Sequence, residues 1–168
     1  MWLSLIYKLH YGKLTHEFIE LDENSFKDIQ LACITSEFQK ISLDSIEVFT
    51  SDELGGMDFP EFYYDNAVPL FSKKIYEKMK KNGIDNIFVK SVTITDNMQE
   101  KSKEYILTLP PRINVLSSNG KIDESKVGNF KMFKIADSND NNIYVTEDFI
   151  NIFNDKIPLG MEILQTDV

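Results

Sequence analysis

The alternation of apolar and polar positions repeats a larger pattern in the second part of the chain. Residues 68–95 and 142–165 each read as a short apolar strand, a polar residue, an amphipathic helix and a second strand. A constant offset of 74 residues superposes the two stretches without a gap, so that Leu70 falls on Tyr144. Because no residue is identical along this superposition, the chain repeats a structural pattern and not a sequence.

Each copy of the pattern predicts a capped helix. Ser72 and Thr146 stand just before the helical apolar positions, where a hydroxyl can accept a hydrogen bond from the free N–H groups of the first turn. In the first copy the apolar residues recur at helical spacing, and Asn82-Gly83 predicts the end of the helix. The sequence therefore predicts two short helices.

The other apolar runs have the period of two that is typical of β-strands. Residues 3–11 predict a strand with one buried face, and residues 130–135 predict a strand that is buried on both faces. Much sheet, few helices and no regular βα alternation predict an α+β fold whose sheet is mostly antiparallel. Further strands are predicted around Phe18 and Glu20, from Ile46 to Phe49, from Phe88 to Ile94 with a hairpin partner from Tyr105 to Leu109, and from Met161 to Leu164.

The length of the chain limits its domain organisation. A chain of 168 residues suits one domain, or two small halves that pack against each other. In the two-half interpretation, residues 1–66 form an N-terminal sheet part and residues 67–168 contain the repeated pattern. Apolar residues make up 42 % of the chain, which is enough to bury a sizeable core.

Charge and residue counts exclude several classes of function. The formal net charge is −9, from 18 basic and 27 acidic side chains. Nucleic acid and anionic membranes require a basic surface, so we expect neither as a partner. Cys33 is alone and only two histidines are present, which gives no disulfide and no zinc-ligand spacing. Since the first residues resemble neither a signal peptide nor a membrane span, we expect a cytoplasmic protein without metal or cofactor.

An acidic and aromatic segment before the first helix is the strongest candidate for a functional surface. Clustered carboxylates speed the encounter with a basic partner, and aromatic rings can anchor an interface. The alternative interpretation is a solvated loop whose aromatic rings cover the core while its acids face water. The predicted partner-binding residues are Asp52, Glu53, Asp58, Phe59, Glu61, Phe62, Tyr63, Tyr64 and Asp65.

Four short stretches between residues 55 and 165 carry a resemblance to a known family. The stretches are Asp58-Phe59, Pro69-Leu70-Phe71-Ser72, Glu104-Tyr105-Ile106-Leu107 and Ile143-Tyr144-Val145-Thr146. In order and spacing they resemble the family numbered eleven among the immunity proteins of bacterial polymorphic toxin systems, formerly described as a domain of unknown function. The resemblance implies a small cytoplasmic protein that binds and neutralises a cognate toxin without chemistry of its own.

Three hypotheses for the function follow from these observations. The sequence contains no catalytic motif, so the leading hypothesis is a non-catalytic immunity protein that binds a basic toxin through the acidic segment. The alternative is a non-enzymatic accessory or oligomerising domain that packs against another subunit, which leaves the oligomeric state open. A third hypothesis, an enzyme with an unrecognised carboxylate site, requires a pocket with converging carboxylates.

Overall fold

The structure is a computed structural model that describes part of the chain. The predicted strand around Phe18 and Glu20, the Cys33 thiol, Asp52 and Glu53 lie outside the described residues. The described residues are 5–11, 27, 46–50, 58–65, 68–84, 88–96, 98, 101–136, 138–154 and 156–166.

Strands dominate the described residues, which confirms the predicted α+β class. Among the described residues Lys27 is helical, the longer helical stretches are α1 (Lys73–Lys81) and α2 (Glu147–Asn151), and a 3-10 turn covers Glu124–Lys126. The strands are β1 (Ile6–Tyr11), β2 (Ile46–Phe49), β3 (Phe62–Asp65), β4 (Val68–Ser72), β5 (Phe88–Thr95), β6 (Ser102–Leu109), β7 (Arg112–Ile113), β8 (Met132–Ile135), β9 (Ile143–Thr146) and β10 (Met161–Gln165).

The strands form two mixed, mostly antiparallel sheets. The first sheet has the order β10-β1-β9-β8-β7, and the second has the order β2-β5-β6-β4-β3. Only the β2–β5 and β7–β8 pairs are parallel among the described pairings. The hairpin predicted from the alternation of Tyr105 and Leu107 is confirmed as the β5–β6 pair, in which Thr95 lies opposite Ser102. Strands from residues 1–66 are present in both sheets.

The repeated sequence pattern corresponds to a repeated topology. In the second sheet β6 lies between β4 and β5 and is antiparallel to both. In the first sheet β1 lies between β9 and β10 and is antiparallel to both. The two strands that flank each helix are therefore parallel to each other with a third strand inserted between them, which is a split β-α-β arrangement.

Three clusters of buried side chains stabilise this architecture. One covers a face of the second sheet and includes Val48 and Tyr105. Another joins residues of both sheets to the apolar faces of both helices, for example Phe71 of β4 and Phe149 of α2. The third lies on the opposite face of the first sheet, where Phe133 packs beneath the loop that follows β7. Burial of each large apolar side chain contributes about 1.5–3 kcal/mol relative to its exposure.

Strand burial agrees with the prediction for β8 and differs for β1. All four residues of β8 are buried, as the sequence predicts. In β1, however, Ile6 is buried on the face opposite Leu9, so the prediction of one buried face is wrong. The reason is the loop after β7, which brings Val115 and Val127 onto the outer face of the first sheet and encloses Ile6.

The two predicted helix caps have different outcomes. The Ser72 hydroxyl accepts a hydrogen bond from the Ile75 N–H at 3.4 Å, which confirms the cap of α1. Thr146 occupies the cap position of α2, but its side chain makes no cap hydrogen bond, so this part of the prediction is wrong. Thr146 pairs with Ile6 as the last residue of β9, and its buried hydroxyl has no hydrogen-bond partner among the described residues. Glu147 and Asp148 still favour the helix through its dipole.

We expect Gly160→Ala to destabilise the protein more than Gly120→Ala. Both glycines have positive φ, +87° and +80°, so each substitution costs about 1–3 kcal/mol of backbone strain. A Cβ on Gly160 would also lie 2.5 Å from the Phe62 carbonyl oxygen, whereas nothing lies within 4 Å of one on Gly120. That overlap should add about 1–3 kcal/mol to the loss in free energy of unfolding, measured by urea denaturation. Equal losses in the two variants would contradict the close approach.

Candidate functional site

The described part of the acidic segment lies at a junction between the two sheets. The N–H groups of Glu61 and Phe62 donate to the carbonyl oxygen of Leu159 at 2.8 and 3.2 Å. Leu159 stands just before β10 of the first sheet, and Phe62 begins β3 of the second. The Ser72 N–H donates to the Glu61 carbonyl oxygen at 2.8 Å, so the end of β4 is fixed to the same point.

Two of the predicted partner-binding aromatic residues are inside the protein. Phe62 is 0 % exposed and Tyr63 is 3 % exposed. Successive residues of a strand point to opposite faces, and here Phe62 enters the core between the sheets while Tyr63 enters the core on the other face of the second sheet. Their rings lie 4.9 Å from Phe71 and 5.0 Å from Tyr11, between centroids. These two residues hold the segment in place and do not offer their rings to a partner.

Four of the predicted residues, Asp58, Phe59, Glu61 and Tyr64, lie nearer the surface. Asp58 is exposed, and Phe59 is half-buried against the core of the second sheet. Tyr64 is half-buried, and its hydroxyl donates to the backbone carbonyl of Asn141. Asp65 pairs with Val68 at the end of β3. Asp58 is thus exposed, and Glu61 is partly covered.

The Glu61 carboxylate is part of a polar network. One of its oxygens lies 3.1 Å from Lys103 Nζ, and the other accepts a hydrogen bond from the Ser72 hydroxyl. Partial burial alone would raise the pKa of Glu61, but the hydrogen bonds from Ser72 and Lys103, with the charges of Lys103 and Lys74, more than offset it. The net pKa of Glu61 therefore lies below its ordinary value. Ser72 connects this carboxylate to α1, because its oxygen also caps that helix.

Lys103 and Tyr105 of β6 hold the segment from the other side. Lys103 Nζ donates to the carbonyl oxygens of Phe59 and Pro60 at 3.4 and 3.3 Å. The Tyr105 hydroxyl donates to the Pro60 oxygen at 2.7 Å, and burial raises the pKa of Tyr105, which keeps this donor protonated. Neither role is predicted from the sequence. The available signal was the period-two face of Tyr105 and Leu107, which places Lys103 on the same side of β6.

This arrangement is suited to fixing a surface. A general acid requires a raised pKa, whereas the pKa of Glu61 is lowered by its partners. In the described part of the chain, no group of three or more His, Cys, Asp or Glu side chains is arranged to hold a metal ion. Across those same residues, no helix has both the length and the apolar character needed to cross a membrane.

Comparison with known proteins gives no family assignment. No family model matches the chain, and no curated protein matches it. The stretches that carry the resemblance to immunity proteins lie mainly in strands: the one that begins at Pro69 is in β4, the one at Glu104 is in β6, and the one at Ile143 is β9. Only Asp58-Phe59 belongs to the candidate surface, so the resemblance concerns the framework more than the surface.

We expect the Glu61–Lys103 pair to stabilise the fold. Both side chains are 27 % exposed, so the pair is less screened than an ordinary surface ion pair. A double-mutant cycle with Glu61→Gln and Lys103→Met should give a coupling of about 1–2 kcal/mol in the free energy of unfolding. The control is a cycle on the more exposed Lys73–Glu104 pair, which should give a smaller coupling. A coupling at Glu61 no larger than that of the control would contradict this assignment.

The Glu61 contribution should depend on pH in a defined direction. Because its folded pKa lies below the ordinary value of 4.5, the folded state binds this proton more weakly than the unfolded state. The stabilisation is therefore present above pH 4.5 and is lost as the pH falls through the lowered pKa. Repeating the double-mutant cycle at neutral and at acid pH measures this loss. A coupling that is unchanged at acid pH would show that ionised Glu61 is not its source.

Proposed function

We propose that the protein is a non-catalytic immunity protein of a bacterium, which binds and neutralises a cognate, basic toxin in the cytoplasm. The observation that carries the proposal is the fixed acidic segment at residues 58–61, on a chain with a net charge of −9. The resemblance to immunity proteins points in the same direction. Inhibition of this kind requires only that the bound protein covers the active site of the toxin or blocks its substrate.

The segment is ordered before any partner arrives. Its backbone accepts hydrogen bonds from Lys103, Tyr105 and the Ser72 N–H, and it donates to the carbonyl oxygen of Leu159. Ordering one residue of a flexible loop costs about 1–2 kcal/mol of conformational entropy. A segment that is already fixed avoids most of this cost on binding, which favours a tight complex.

The charge of the protein favours a basic partner. Opposite net charges speed diffusional encounter, and salt screens this effect over about 8–10 Å. Asp58 is exposed at the beginning of the segment, whereas the aromatic residues Phe62 and Tyr63, which follow the segment, are buried in the cores. Asp58 is therefore the acidic side chain of the segment that is open to a partner, whereas Glu61 is engaged by Lys103 and Ser72.

We expect the gene beside that of this chain to encode a basic toxin domain, and we expect the chain to protect cells from it. The test expresses that domain in a bacterium with and without this chain and measures growth and, with the purified proteins, binding. Co-expression should restore growth and the two proteins should form a stable complex. Absence of both effects would overturn the proposal. A stable homo-oligomer whose interface is the 58–61 segment would instead support the accessory-domain alternative.

Charge reversal in the segment should slow association with that toxin domain. The variant Asp58→Lys leaves Glu61 intact, because Glu61 supports the fold through Lys103 and Ser72. Its association rate should fall by about fivefold or more at low salt, since it removes local attraction. The matched control Glu124→Lys changes the net charge equally at another site and should lower the rate by less than about twofold. Equal effects in a stopped-flow measurement would place the contact elsewhere.

A further inference from the structure

The loop between α2 and β10 exposes two large aliphatic side chains beside the acidic segment. Ile157 is 40 % exposed and Leu159 is 47 % exposed, while Pro158 between them is buried. The carbonyl oxygen of Leu159 lies 2.8 Å from the Glu61 nitrogen, so the two segments are in direct contact. The sequence predicts that aromatic residues anchor the surface, whereas the structure exposes these two aliphatic residues.

Backbone contacts fix the loop on both sides of the exposed residues. The Lys156 N–H donates to the Phe153 carbonyl oxygen at 3.0 Å, and the Met161 N–H donates to the Pro158 oxygen at 3.0 Å. Gly160 approaches the Phe62 carbonyl so closely that no other residue fits there without a shift. Ile157 and Leu159 are therefore held outward by a rigid backbone, and their burial in a complex would require little further ordering.

An isolated exposed aliphatic residue needs no explanation, since such residues are common on protein surfaces. Val89 and Leu116 are examples, and they are 38 % and 37 % exposed. Ile157 and Leu159 differ because they lie two positions apart in one fixed loop that contacts the acidic segment. They provide the apolar centre that an interface needs, next to carboxylates that can serve as its charged border.

One interface of ordinary size can cover both features. Each partner in a standard complex buries about 800 Å², which corresponds to a disc of about 16 Å radius. Asp58 is three residues from Glu61, so its Cα lies at most about 11 Å from that of Glu61 along the chain. A disc centred on Glu61 therefore covers the whole 58–61 segment and Leu159, which is hydrogen-bonded to Glu61.

We infer that Ile157 and Leu159 are the apolar anchor of the partner-binding surface, and that they enter an apolar pocket bordered by lysine or arginine side chains on the toxin. Exposed Asp58 and the net charge of −9 favour a basic border by charge complementarity, although Lys103 pairs with Glu61 and Lys156 is exposed beside Ile157. The inference rests on the proposed function, and it adds the part of the surface that provides most of the affinity.

The test measures how tightly variants of this chain bind the toxin domain encoded beside the gene. It compares an anchor variant with a matched control variant. Ile157→Ser/Leu159→Ser should raise the dissociation constant by about 100-fold or more, mainly through faster dissociation. The control Val89→Ser/Leu116→Ser removes two equally exposed aliphatic side chains and should change the constant by less than about threefold. Leu159→Met keeps an apolar side chain on an unchanged backbone and should retain nearly full affinity.

Each outcome of this test has a distinct meaning. If the unaltered chain binds the toxin domain and the anchor variant binds equally well, the anchor assignment is overturned while the immunity function stands. If the unaltered chain does not bind, both fail. Thermal unfolding of every variant shows whether the fold is intact. If the double serine variant unfolds, Leu159→Gln replaces it, and undiminished affinity of Leu159→Gln would equally overturn the inference.

Discussion

Two consecutive N–H groups, those of Glu61 and Phe62, share one acceptor in the carbonyl oxygen of Leu159, and both sheets depend on this contact. It fixes the distance between the beginning of β3 and the beginning of β10. With that distance set, the Phe62 ring enters the core between the sheets, and the Glu61 carboxylate meets Lys103 and Ser72. The close approach leaves room for glycine alone at position 160. The same backbone contact therefore positions both the core and the candidate surface.

The acidic segment combines structural and surface roles residue by residue. Phe62 and Tyr63 belong to two different cores, because β3 is covered on both faces. This holds although β3 is an edge strand of its sheet. The carboxylates before them remain near the solvent. A segment of this type resists deformation, since moving its surface would require withdrawing rings from both cores. Such rigidity suits recognition of one specific partner.

Features that depend on neighbouring residues were predictable from the sequence, and features that depend on distant contacts were not. The cap at Ser72, the end of α1 and the hairpin of β5 and β6 all follow from local signals. The Glu61–Lys103 pair joins residues far apart in the chain, and no local pattern indicates it. The exposure of Leu159 likewise depends on the fixed loop around it. The sequence does not indicate this exposure, because an aliphatic residue is normally assigned to the core. The aromatic run at 62–64 was ambiguous, since burial on two faces removes the alternation that distinguishes a core face from a wet one.

The position of β1 has a consequence for how the protein reaches its folded state. β1 is hydrogen-bonded between β9 and β10, so an early strand of the chain must insert between two late ones. During synthesis on the ribosome, the apolar residues and backbone groups of β1 have no strand to pair with until nearly the whole described chain has emerged. Closure of so long a loop slows folding, and an unpaired strand is prone to aggregation in the interval. Completion of the first sheet is therefore a late event, because it requires both β9 and β10.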